Sequence, residues 1–69
     1  MNYIVIELQT NGGSTANLVT KYDTLPAAES AFYSICANAV ISQVQVHAVL
    51  IVDEKGFVMK NECFQHNAE

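Results

Sequence analysis

The sequence has no arginine and no tryptophan, a single proline and only two cysteines, and the want of arginine bears most directly on function. Without arginine there is no planar guanidinium to fork onto a phosphate or a guanine edge. Three lysines, Lys21, Lys55 and Lys60, stand against seven carboxylates for a net charge of −4, which repels a nucleic-acid backbone. Nucleic acid is therefore not expected as a partner. The longest apolar run, Ala48 to Val52, is far too short to cross a bilayer, so no membrane partner is expected either. Met1-Asn2-Tyr3 carries no basic region of the kind that opens a secretion signal. Cys36 and Cys63 are accordingly expected as reduced thiols in a cytoplasmic protein.

The 69 residues suit one domain, 1–69, with 65–69 as a flexible tail. That length lies near the lower limit at which a core folds without a staple. The hydrophobic share is 51% and the charged share 14%, against a usual charged share of about 25%. Few charges remain to cover the surface, which points to burial against a partner.

The stretch Gln43 to Val52 carries the most information. Read with a period of two, Val44, Val46, Ala48, Leu50 and Val52 share one apolar face. The other face begins with Gln43, Gln45 and His47 and turns apolar at Val49 and Ile51. A strand apolar on both faces needs cover on both, and in so short a chain a second copy is the obvious source.

The remaining pattern reads as strand, strand, helix, strand, strand. Tyr3 to Thr10 alternates, and Asn11-Gly12-Gly13-Ser14 supplies a hairpin turn; its two glycines suggest a bulged connection rather than the tightest turn. Thr15 to Tyr22 follows. Asp23 or Thr24 can cap a helix, and Pro26 is tolerated in its first turn. Ala28, Phe32, Ile35 and Ala39, broadened by Ala31, Cys36 and Val40, give a helical stripe from Leu25 to about Ile41 or Ser42. After the strand at Gln43 to Val52, Asp53-Glu54-Lys55-Gly56 closes a second hairpin onto Phe57 to Phe64. The expected fold is α+β, ββαββ, a four-stranded antiparallel sheet with one helix packed on one face. Ile4, Ile6, Leu8, Leu18, Val44, Val46, Leu50 and Phe57 are the expected partners of the helix. The opposite face would then carry Tyr3, Val5, Val19, Val49, Ile51, Val58 and Phe64. Of these, Val5, Val49, Ile51, Val58 and Phe64 are the candidate interface of a homodimer, with edge-strand pairing as the second choice.

Chemistry-bearing residues are few. His47, beside Gln45 and on a face with Tyr3 and Glu7, is a candidate base or ligand contact; the commoner arrangement is a partly buried histidine hydrogen-bonded to a neighbour. Cys63 and His66 have a C-x2-H spacing, but no second paired knuckle accompanies them, and no metal or cofactor is expected. Cys63 falls on the face opposite His47, which argues against a nucleophile–base pair. Asn11 to Ser14 joins two strands rather than opening a helix, so it fails the context of a phosphate loop, and Asp53-Glu54 lacks the ligands of a calcium loop. No catalytic residue is assigned.

The segments YIVIELQTNGG, AESAFYSICANAVISQVQVHAVLI and KGFVMKNECFQH span nearly the whole chain. They resemble a family of small uncharacterised proteins from gut-associated Firmicutes and their prophages or mobile elements. The resemblance places Ala28-Glu29-Ser30, Ser42, His47, Gly56, Glu62 and His66 at recurring positions of that family without an assigned role. It implies a cytoplasmic accessory protein of a mobile element and supplies no substrate. The sequence thus suggests a small non-enzymatic homodimeric binding or protein-interaction module, engaging itself and another protein. The alternative is a small-molecule binder or enzyme whose pocket lies between subunits and contains His47, Tyr3 and Glu7, with Gln45 nearby.

Overall fold

The structure, a computed structural model, describes residues 1–66. Strands β1 (Tyr3–Asn11) and β2 (Ser14–Tyr22) form a hairpin, helix α1 (Leu25–Val40) follows, and β3 (Val46–Asp53) and β4 (Val58–Gln65) form a second hairpin. All neighbouring strands are antiparallel and the sheet order is β2-β1-β3-β4. The expected ββαββ architecture is therefore the one observed. Because β1 is antiparallel to both neighbours, β2 and β3 run parallel with β1 between them, and α1 is the crossover that joins them.

The first turn is tighter than expected. Asn11 pairs with Ser14, leaving only Gly12 and Gly13 in the turn, with φ of +57° and +83°. Positive φ at both central residues is what a two-residue type I′ turn demands, and glycine meets it without a steric penalty. In the second hairpin, Asp53 Oδ1 accepts from the backbone N–H of Lys55 at 2.9 Å and of Phe57 at 3.0 Å. Phe57 is held in this turn outside β4 and is 67% exposed, rather than lying under the helix. A bulge follows: Ile51 faces Lys60 whereas Val52 faces Val58, so Met59 is the extra residue of the longer strand.

Thr24 caps α1 through a long 3.4 Å bond from the Ala27 N–H to its Oγ1, with Pro26 in the first turn. Ala28, Phe32 and Ala39 are buried, and Ala31, Ile35 and Cys36 pack beside them. The expected stripe is present except for Val40, which is exposed.

The principal correction concerns which sheet face this stripe covers. The core is Val5, Val49 and Ile51 with Ala28 and Phe32, so α1 lies on the face expected to be open. The face expected beneath the helix, with Ile4, Ile6 and Leu8 on β1 and Val46, Leu50 and Val52 on β3, is the uncovered one, and its central side chains are shielded only in part. Leu18, expected as a partner of the helix, is on the helix side, opposite Glu7, but is 61% exposed rather than covered.

β3 begins at Val46 rather than Gln43, because the preceding residues are committed elsewhere. The Gln45 N–H donates to Asn11 Oδ1 at 3.0 Å, and Gln45 Oε1 accepts from the Gly12 N–H at 2.9 Å. This ties the β3 entry to the tip of the first hairpin. Two residues expected in the tail are also fixed: Gln65 belongs to β4, and the His66 N–H donates to the Gln45 carbonyl at 2.7 Å while its Nε2–H donates to that of Ala39, also at 2.7 Å. The rest of the expected tail, 67–69, lies outside the described residues.

Candidate functional site

The register decides which polar residues meet. On the helix side of the sheet, β1 presents Tyr3, Val5, Glu7 and Gln9, and β3 presents His47 opposite Gln9 and Val49 opposite Glu7. Glu7 and His47 are therefore diagonal neighbours on one face, close enough for their side chains to join. Glu7 Oε2 lies 2.6 Å from His47 Nε2 and accepts a second bond from Gln9 Nε2 at 2.9 Å.

Two of the four candidate binding residues, Glu7 and His47, are thus brought together. The other two are not. Tyr3 lies four residues along β1 from Glu7, about 13 Å at the rise of a strand, and packs at the rim of the core. Gln45 is spent on the hairpin tip. Among the interface candidates, Val5, Val49 and Ile51 are at most 2% exposed beneath the helix and have no surface to offer a second copy. Phe64 pairs with His47 on the helix side and is half-buried, whereas Val58 is exposed.

Burial works to raise the Glu7 pKa, but the hydrogen bonds from Gln9 and His47 and the attraction of the imidazole outweigh it and hold the carboxyl below its usual range. An ionised carboxylate only accepts, so His47 carries its proton on Nε2. Its Nδ1 is buried and has no hydrogen-bond partner among the described residues. That nitrogen is enclosed rather than presented to a substrate. Cys63 lies opposite Ala48 on the other face. Cys36 sits on α1, where burial and the charge of Glu62 push its thiol up and away from the reactive thiolate. Among the described residues, no three potential metal ligands cluster.

A feature absent from the sequence reading lies beside this pair. A shallow concavity of about 220 Å³ is lined by Glu7 and Gln9 of β1 and by Ala16, Asn17 and Leu18 of β2. Helix α1 runs mainly over β3 and β1, so this end of the first hairpin is left open. The signal was present in the turn chemistry. Had Gly12-Gly13 been taken as a two-residue turn, the pairs Glu7–Leu18 and Gln9–Ala16 would have followed by counting.

On the other flank, Lys60 lies 5.6 Å from the centre of the Tyr33 ring and 3.9 Å from Glu29 Oε2, a partly exposed cluster that joins β4 to α1. Among the described residues, no helix is long and apolar enough to cross a membrane. No protein-family model, curated protein or solved structure matches this chain.

Proposed function

We propose that this chain is a non-enzymatic protein-interaction module that works as a homodimer, two copies meeting through the sheet face that α1 leaves open. The observation that carries this reading is the composition of that face. Ile4, Ile6, Leu8, Val46, Leu50 and Val52 occupy the two central strands, and among the described residues Lys21 is the only charged one whose register assigns it there. Four strands about 4.8 Å apart and eight residues long span about 19 by 26 Å. That is on the order of 500 Å² in plan and more in accessible area, comparable to the ~800 Å² per partner of an ordinary stable interface. The apolar part of this face is the stripe along the two central strands, rimmed by Thr15, Asn17 and Lys21 of β2 and by Asn61 and Gln65 of β4, the arrangement of an interface core and its polar rim.

The enclosed His47 and the distance of Cys63 favour binding over catalysis. His47 lies on the helix side, so a dimer built through the open face does not place it in a pocket between subunits. An accessory role for a prophage or mobile element in the cytoplasm accords with the resemblance of the sequence and forms part of the proposal.

Sedimentation velocity at micromolar concentration tests the dimer. The unmodified chain should sediment at twice its 7.6 kDa. Leu50→Lys should give a folded monomer, because the lysine stem can lie along the apolar face with its ammonium in water when no partner is present. A monomer for the unmodified chain at 100 µM would end the proposal.

A further inference from the structure

The two edges of the sheet are not alike. β4 is interrupted by a bulge near Met59 and carries Lys60 and Glu62, features that discourage pairing with another strand. β2 has no bulge, and its one charged residue, Lys21, stands next to its C-terminal end. Its nine residues pair with β1 in unbroken register, the seven from Ser14 to Thr20 are uncharged, and every residue but Tyr22 is exposed. Its outer row of backbone donors and acceptors faces no other strand among the described residues.

The concavity opens onto this edge. Successive strand residues point to opposite faces, so a depression lined by Ala16, Asn17 and Leu18 in sequence abuts the β2 backbone itself. Its lining includes Glu7, whose side chain is 15% exposed, in a chain of net charge −4. We propose that the free edge of β2 binds an extended segment of a partner protein, which adds to the sheet as a fifth strand and seats a lysine or arginine side chain beside Glu7. Backbone hydrogen bonds would supply the affinity and the Glu7 concavity the selectivity, the usual division in strand addition. An added strand would lie about 10 Å from β1, within the combined reach of a lysine and a glutamate side chain.

A second copy fits the charge less well. Antiparallel pairing of β2 with its own copy about Leu18 sets Lys21 against Thr15. Lys21 and Thr15 lie opposite Ile4 and Thr10 of β1, on the open face and away from Glu7. The inference rests on the chain being an interaction module but not on its dimerising, since the β2 edge and the open face are separate surfaces.

The test is a titration of the isotope-labelled full chain with a seven-residue peptide of alternating threonine and valine bearing a central lysine. Two control peptides carry a central glutamate or N-methyl groups at alternate backbone nitrogens. The lysine peptide should shift and protect the amides of Ser14 to Tyr22 and bind at least tenfold more tightly than the glutamate peptide. N-methylation should abolish binding. Glu7→Gln should reduce the preference for lysine to less than threefold. Should that variant not fold, Leu18→Lys, at an exposed position opposite Glu7, should have the same effect. Equal affinity for lysine and glutamate peptides, shifts on another surface, or no shifts at millimolar peptide would each overturn the proposal. So would β2 amides that are already protected in the free protein and lose that protection on dilution, because a second copy would then occupy the edge. A monomer that binds the lysine peptide would retire the dimer and keep this site, and a dimer indifferent to the peptide would do the reverse.

Discussion

Glu7 and His47 are 40 positions apart in sequence and 2.6 Å apart in space, carboxylate oxygen to imidazole nitrogen. The bond crosses diagonally between the two central strands on the side covered by α1, with the two side chains 15% and 5% exposed. At that depth each group depends on the other. Removing one leaves a largely buried polar atom without its partner, a loss of about 1–3 kcal/mol, whereas replacing both by apolar groups of similar shape can be nearly neutral. The pair is therefore better read as a fastening of β3 to β1, one that keeps a carboxylate ionised in the lining of the neighbouring concavity.

That fastening has a pH dependence whose direction is fixed. The Glu7 carboxyl binds its proton less readily in the folded chain than in the unfolded one, so acid favours unfolding. Its contribution is complete above the ordinary carboxyl pKa of about 4.3 and drains away as pH falls through the lower folded value. Glu7→Gln keeps the shape and an acceptor for the His47 N–H but removes the charge. It should cost about 1–2 kcal/mol at pH 7 and remove part of the loss of stability that the unmodified chain shows as pH falls below about 4.3. Urea unfolding of both proteins from pH 3 to 7 measures this; curves that run parallel would show that the carboxyl is not held ionised by folding.

The first turn makes a separate prediction. Gly12 has a φ of +57° and Gly13 of +83°, with open space where a Cβ would project. Gly12→Ala meets no neighbour, so its cost is that of the backbone alone, about 1–2 kcal/mol for an L-residue in the left-handed region. Gly12→Asn should cost less, since asparagine tolerates that region. Thermal unfolding of the two variants ranks them, and equal losses would mean that the turn relaxes to another type.

Asp53 anchors the opposite hairpin by side-chain acceptance of two backbone N–H groups, from Lys55 and Phe57. Asp53→Ala should lose about 1–2 kcal/mol, and Asp53→Asn, which retains a carbonyl acceptor, less than half of that. Hydrogen exchange at the Phe57 amide should quicken in the alanine variant before exchange elsewhere in β4 does. Uniform quickening across the sheet would instead show that the turn does not open independently.

Element order and helix limits were legible in the sequence because their signals are local. Thr24 and Pro26 mark a helix start, and Ala28, Phe32, Ile35 and Ala39 repeat with helical spacing. The glycines mark the turns. The choice of face was not legible. Period two sorts residues into two sets, but it assigns a set to the core only when the other is polar. Here Ile4, Ile6 and Leu8 compete with Val5, Val49 and Ile51. The set with Val5, Val49 and Ile51 also carries Glu7 and His47, and a face with two such polar residues reads as a solvent face. His47 is buried and Glu7 largely so because they satisfy one another across two strands, a relationship that depends on register rather than on local sequence. The concavity is illegible for the same reason: its walls come from two strands whose alignment depends on Gly12-Gly13 forming a two-residue turn rather than a bulged one.

Adjacent residues on β3 separate the two faces most sharply. Ile51 is fully buried, in one cluster with Val5, Val49, Ala28 and Phe32, whereas Leu50 is half-buried on the uncovered side. Ile51→Ala should cost about 2–5 kcal/mol at any protein concentration, through lost burial and the cavity left behind. Leu50→Ala removes the same number of carbons from a surface that is covered only when two copies meet. Its cost should stay near 1 kcal/mol in dilute monomer and grow with protein concentration, because dimerisation stabilises the unmodified chain by mass action. Urea unfolding at 1 and 100 µM measures both effects. Equal, concentration-independent losses for Leu50→Ala and Ile51→Ala would mean that both faces of β3 are buried within a single chain, and the open face would no longer need a partner.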